Sequence, residues 1–306
     1  MEPLVIKLSS HYYESRVDRL IRQLTPIFEL QERQTLHIDL KGLAGIGQPA
    51  LALLIATLVQ ATDRGLVGEK SFVSLPDSPP VARYVERMNL VKIVSPTLER
   101  EEAFVRRDAE GFMPCRRFHD LAEGISVGRE LAVHLQERCN VDDVGKASVQ
   151  LALGEITDNV AYHADTAHGG FAVCQHYKNR QAFDIAIVDL GVGIMESLAR
   201  NPMLPTPADD AAALKLALTP RITSTPTRNA GLGLFVTAML LQGNGGRFTL
   251  RSGNAVAYRG SENETRLTTV ALPGTLATMR VRSDRPLNIE TVYSRFRKEL
   301  GDGPDL

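Results

Sequence analysis

The sequence predicts two units of mixed α/β class: a βαβαβα unit over residues 1–95 and a two-layer α/β sandwich over 111–283. Three observations carry this. Hydrophobic spacing in the first 95 residues switches repeatedly between a period of two and a period near 3.6. Residues 96–110, SPTLEREEAFVRRDA, are dense in charge with almost no apolar periodicity, which reads as a linker. Beyond them, helical and strand patterns are interleaved over some 170 residues. A chain of 306 residues is long enough for two cores at roughly 150 residues per domain.

In the first unit, Leu4-Val5-Ile6-Lys7-Leu8 reads as a strand, and Val17, Leu20, Ile21 and Leu24 recur at helical spacing. Residues 35–40, TLHIDL, form a second strand. The charge-free run from Gly42 to Thr62 approaches the length of a membrane span, but Pro49, Gln48, Gln60 and its glycines interrupt it. It reads instead as a loop entering a buried helix over Pro49–Asp63, with proline in the first turn and Gly65 past the end. A strand at 71–75 and a helix opened by Pro79 and Pro80 complete the unit. In the second unit, Phe112–Phe118 is a strand and Leu121–Arg138 and Val141–His163 are helices. Strands are expected at Gly170–Tyr177, Phe183–Val188, Gly246–Ser252, Ala255–Arg259 and Arg266–Leu272, with a helix over Gly231–Gln242. The tail, 284–306, ends in a frayed GDGPDL.

Composition narrows the function. Lys and Arg number 35 against 36 Asp and Glu, a net charge of -1, so no general polyanion-binding surface is expected and nucleic acid is excluded as the default partner. Trp is absent and aromatics make up 6%, which leaves little for base stacking. The N-terminus, MEPLVIKLSS, lacks a basic stretch with an apolar core, and no segment reads as a membrane span, so a cytoplasmic protein is expected. Cys115, Cys139 and Cys174 are odd in number and form no CxxC, which suits reduced core thiols.

Three motifs carry chemistry. Glu155, Asn159 and His163 stand at i, i+4 and i+8 on one helix face, as would a solvated face. An amide oxygen at Asn159 suits Mg²⁺, and a carboxylate at Glu155 suits proton abstraction. Next, an apolar strand from Phe183 runs into Asp189-Leu190-Gly191-Val192-Gly193. A carboxylate at the end of a buried strand is costly without a donor. Third, Gly231-Leu232-Gly233-Leu234 opens a helix, where free amides and the dipole suit phosphate. Neither a dinucleotide fingerprint nor a Walker A loop is present, since Glu69 stands before Lys70 in the nearest candidate.

As an ordered set within about 80 residues, these motifs resemble those of the GHKL ATPase superfamily of gyrase, heat-shock chaperones, histidine kinases and mismatch-repair ATPases. Glu155–Ala164 is similar to its N box, Asp189–Gly193 to its G1 box and Gly231–Leu234 to its G2 box. Within the superfamily the wording resembles that of the anti-sigma-factor serine/threonine kinases. The resemblance covers about residues 112–273 and implies the Bergerat ATP-binding fold. It implies Glu155 as general base, Asn159 on Mg²⁺ and Asp189 on the adenine amine. His163, Gly191, Gly193, Gly231, Leu232, Gly233 and Leu234 would surround the nucleotide, Ser224 and Thr225 would lie in a lid over its phosphates, and Thr268 would approach adenine. His119 with Asp120 and Leu121 has the wording of a phosphoacceptor site, but the 36 positions to Glu155 are too few for a dimerisation hairpin.

The first unit resembles a STAS domain, the fold of anti-sigma-factor antagonists. It departs from that family where the phosphorylated hydroxyl should stand, which here reads Gly47-Gln48-Pro49-Ala50. The implied function is a bacterial signalling regulator that binds Mg-ATP and phosphorylates or binds a protein partner. The alternative is a nucleotide-dependent switch, or a slow ATPase closing as a homodimer, without kinase activity.

Overall fold

The computed structural model describes residues 2–90, 92, 111–137, 143–163, 168–223, 231–287 and 294. The linker expected at 96–110, Cys139, the lid residues Ser224 and Thr225, and the tail beyond Leu287 apart from residue 294 lie outside these residues. The class is mixed α/β, with one parallel and one antiparallel main sheet.

The N-terminal unit is built from β1 (Leu4–Lys7), β2 (Ser10–Tyr12), α1 (Val17–Phe28), β3 (Leu36–Asp39), β4 (Leu43–Ile46), α2 (Gln48–Asp63), β5 (Phe72–Ser74) and α3 (Pro79–Arg87). Strands β1, β3 and β5 form a parallel sheet in that order, as helix crossovers between successive strands require. The short strands β2 and β4 pair with each other in parallel and were not legible as strands.

The second unit comprises β6 (Phe112–Phe118), α4 (Leu121–Gln136), α5 (Asp143–His163), β7 (Gly170–Tyr177), β8 (Ala182–Asp189), α6 (Gly193–Ala199), α7 (Asp210–Ala217), α8 (Gly233–Gly243), β9 (Arg247–Arg259) and β10 (Glu264–Arg282). Its sheet is antiparallel throughout, in the order β6-β7-β8-β10-β9. Two expectations are corrected here. The strands expected at 246–252 and 255–259 are one strand, β9, because the backbone continues through Gly253 and Asn254 without a turn. The last strand does not end at Leu272 but runs ten residues further, crossing irregularities between Leu267 and Thr275 before it pairs with β8. The helices α6 and α7 were not anticipated.

The two sheets share a helical layer. One face of the antiparallel sheet packs against α4, α5 and α8 through Phe183, Ile185, Ile187, Ala277 and Leu250. The opposite face, with Phe171, Val173, Ala186, Val188 and Leu276, joins a single core with α1, α2 and the parallel-sheet residues Ile6, Leu36 and Ile38. Residues 111–283 therefore form two layers, and α1 and α2 of the N-terminal unit add a third against the same sheet.

This arrangement explains the charge-free run. Of the 16 residues of α2, 13 are buried. A helix held between two sheets has no solvent face, so it is apolar all round rather than amphipathic. By contrast α1 keeps a clear stripe, burying Val17, Leu20, Ile21, Leu24 and Ile27. Polar pairs also join the units. Arg251, 5% exposed, pairs with Asp18 at 2.6 Å, Glu14 accepts from Thr249 at 2.8 Å and pairs with Arg247, and Asp63 pairs with Arg117.

Candidate functional site: a cleft at the end of the central strand

The three sequence motifs meet at one cleft. Strand β8 ends at Asp189, where Thr275 of β10 lies opposite on one side and Gly170 of β7 on the other. Asp189 and Thr275 occupy one cross-strand row with Ser252, and Ile187, Ala277 and Leu250 occupy the next row on the same face. These rows floor a cleft that opens to solvent. Glu155 and Asn159 of α5, Ile194 of α6, and Gly231, Gly233 and Leu234 at the start of α8 form its walls.

Asp189 is 3% exposed, and its Oδ1 accepts from the Gly191 amide at 2.9 Å. The backbone amide of Thr275, opposite on β10, lowers the carboxylate's pKa as well. Burial nevertheless pushes its pKa from 3.8 up to about 7, because nearby neutral amides do not replace water around a charge. A carboxylate offers about four acceptor positions, so these amides leave capacity for a further donor from the cleft.

The turn after Asp189 is held by its neighbours. Ser252 Oγ accepts from the Ile194 amide at 2.9 Å and donates to the Gly274 carbonyl at 2.7 Å. Gly193 has a φ of +77°, and a Cβ there would stand 2.8 Å from Ser252 Oγ, so both dihedral and space require glycine. The backbone carbonyl of Leu190 accepts from Gln60 Nε2 of α2 at 3.0 Å.

On the opposite wall, burial raises the pKa of Glu155, and the neighbouring Asp158 carboxylate raises it further. Asp158 Oδ1 is buried and has no hydrogen-bond partner among the described residues. Gly233 lies directly against Glu155: a Cβ at Gly233 would stand 2.2 Å from Glu155 Oε2. The second glycine of the Gly-x-Gly pair thus admits the carboxylate, a role its sequence context does not disclose.

Most expected site residues converge. Glu155, Asn159, Asp189, Gly193, Gly231, Gly233 and Leu234 line the cleft. Gly191 serves it by capping Asp189, and Leu232 is the cap residue before α8 rather than a wall. His163 ends α5, and its side chain lies outside the described residues, as do Ser224 and Thr225. Thr268 is corrected: it does not line the cleft, and its hydroxyl donates to the Val270 carbonyl at 2.8 Å. The reason is the irregular stretch of β10, which makes Thr275 the residue beside Asp189.

Sequence reasoning missed Leu198, Ile222, Leu250, Thr275 and Ala277. Ile187 was legible, since two positions before Asp189 on a strand is the same face. The cross-strand neighbours carry no local signal. His119 is a helix-start residue: its amide donates to Glu123 Oε2 at 2.7 Å, while Glu123 donates its amide to the Asp120 cap at 2.9 Å. Cys115 and Cys174 are buried and in no disulfide, and burial pushes the thiol of Cys115 up to about 12. Among the described residues, no helix is long and apolar enough to cross a membrane, and no group of three or more His, Cys, Asp or Glu is placed to hold a metal ion. Compared with known proteins, the chain matches no family model and no curated sequence.

Proposed function

We propose that the cleft binds Mg-ATP and that the chain is a signalling regulator resembling the anti-sigma-factor serine/threonine kinases, acting on a protein partner. The observation that carries the reading is the buried Asp189 carboxylate at the cleft floor, facing Glu155 and Asn159 of α5 and the glycine-opened start of α8. The residues suit the nucleotide. Asp189 retains acceptor capacity for an exocyclic amine, and Ile187, Ile194, Leu250 and Ala277 supply apolar walls for a ring.

In this reading Asp189 selects adenine, since the keto oxygen of guanine at the same position cannot donate to a carboxylate. The amides opening α8 receive phosphate oxygens. Asn159 would hold the metal through its side-chain oxygen, with phosphates and waters completing the shell, as Mg²⁺ commonly requires. The metal supplies charge neutralisation between the phosphates. Glu155, whose raised pKa brings it nearer neutrality, takes the proton from the attacking hydroxyl or water.

A second reading, a nucleotide-dependent switch without protein kinase activity, is favoured by the Gln60–Leu190 hydrogen bond. Through it, the turn carrying Asp189 touches a helix of the N-terminal unit, where a partner would dock. Calorimetry with Mg-ATP and Mg-GTP, followed by labelling of candidate partners with γ-labelled ATP, tests both. Absence of ATP binding ends both readings, and binding without transfer or hydrolysis leaves the switch.

A further inference from the structure

A second cavity lies on the other face of the antiparallel sheet, where the N-terminal unit meets it. It is open to solvent and has a volume of about 460 Å³. Its floor is one cross-strand row, Asp184 of β8, Arg280 of β10 and Arg247 of β9. Arg180 and Tyr177 stand at one rim, and Tyr13 and Tyr258 also line the walls.

The charges do not cancel. Arg180, Arg247 and Arg280 face two carboxylates, Glu14 and Asp184, which leaves the cavity one positive charge. The carboxylates also hold two of the arginines still. Arg280 donates from Nε and Nη2 to the two oxygens of Asp184, each at 2.7 Å, and its Nη1 has no partner among the described residues. Arg247 Nη2 donates to Glu14, which is fixed in turn by Thr249. A guanidinium carries five donors, so each keeps unspent N–H groups in a fixed orientation. Arg180 has no ion pair among the described residues and lies over the Tyr177 ring, 5.1 Å from its centroid. The 16-residue helix α2 starts at the same cavity, through Gly47, Gln48 and Pro49, with no side-chain cap; Pro49 carries no N–H, so among these three the first-turn amide on offer is that of Gln48.

We propose that this cavity is a binding site for a small phosphate monoester. Donors reach it from the sheet floor, from the rim and from the start of α2, which suits a tetrahedral dianion with three terminal oxygens better than a planar carboxylate with two. The volume is far larger than a bare ion occupies, and Tyr13 and Tyr258 provide surfaces with an apolar body and a polar tip for the organic part. The site lies across the sheet from the Asp189 cleft, and the inference does not rest on the nucleotide reading.

The test is titration calorimetry on the full chain with phenyl phosphate, inorganic phosphate and benzoate. One saturable site per chain for phenyl phosphate is expected, with inorganic phosphate weaker and benzoate at least tenfold weaker. Arg180 is exposed, so Arg180→Glu should keep the thermal midpoint and weaken phenyl phosphate at least tenfold. Asn159→Ala, in the other cleft, should leave that affinity unchanged. Absence of saturable binding, benzoate binding as tightly, insensitivity to Arg180→Glu, or loss in Asn159→Ala would each overturn the proposal.

Discussion

Gln60 and Leu190 are 130 positions apart, and the side-chain amide of the first donates to the backbone carbonyl of the second at 3.0 Å. Gln60 sits near the end of α2, and Leu190 follows Asp189 directly. The helix between the two sheets therefore anchors the turn on which the candidate adenine contact depends.

Gln60→Ala removes this anchor without entering the cleft. It should cost about 1–2 kcal/mol of stability, because a part-buried carbonyl loses its donor. Denaturant unfolding and calorimetry check it. ATP affinity should fall several-fold; if stability drops while ATP affinity holds, α2 supports the fold but does not position the turn.

Asp189→Asn separates binding from folding. Asn keeps an acceptor for the Gly191 amide but loses the charged partner for an amine, so ATP binding should weaken by more than about 1.5 kcal/mol. In the folded chain the Asp189 pKa of about 7 lies above its ordinary 3.8, so between these values the native state binds more protons than the unfolded one. Stability is then full at the acid end of this window and is lost as pH rises through about 7, by up to about 4 kcal/mol. Asp189→Asn removes that loss, and its thermal midpoint should exceed wild type more at pH 8 than at pH 5. A constant difference between the two pH values would contradict this assignment.

Glu155→Ala and Asn159→Ala should differ in kind. The first should abolish hydrolysis or transfer with ATP still bound, and the second should remove the Mg²⁺ dependence of ATP binding. Single-turnover assays and calorimetry with and without Mg²⁺ distinguish them. Full turnover in Glu155→Ala would exclude it as the base.

The start of α2 should not be a phosphoacceptor. Gly47, Gln48, Pro49 and Ala50 carry no hydroxyl, and Ser71, which is buried, has its Oγ accepting from the Leu36 amide at 2.8 Å. Incubation of the full chain with γ-labelled ATP and Mg²⁺ should leave residues 1–95 unlabelled, and stable label mapped there would refute the account.

Much of the chain was readable one residue at a time. The strands β1 and β3 and the helices α1, α4 and α5 follow from spacing, because burial there is decided by the face of the element a residue occupies, while α2, β7 and β8 follow from continuous apolar runs bounded by turn residues. The order of the polar motifs was readable too, as was the identity of Asp189 as a carboxylate closing an apolar strand. What stayed hidden depends on distant partners. The short pair β2 and β4 is too brief for a period to show. Thr275 rather than Thr268 stands beside Asp189 because irregularities in β10 shift its register, and register is a relation between strands. The contact of Gly233 with Glu155, and the closing of one sheet's second face by helices from the other unit, are likewise contacts between segments remote in sequence. The sequence by itself determined the longer elements and which residues could do chemistry, since both are local properties. Tertiary structure alone decided that α2 is shared between two sheets and that the three motifs face one cleft, because only packing brings such segments within reach of each other.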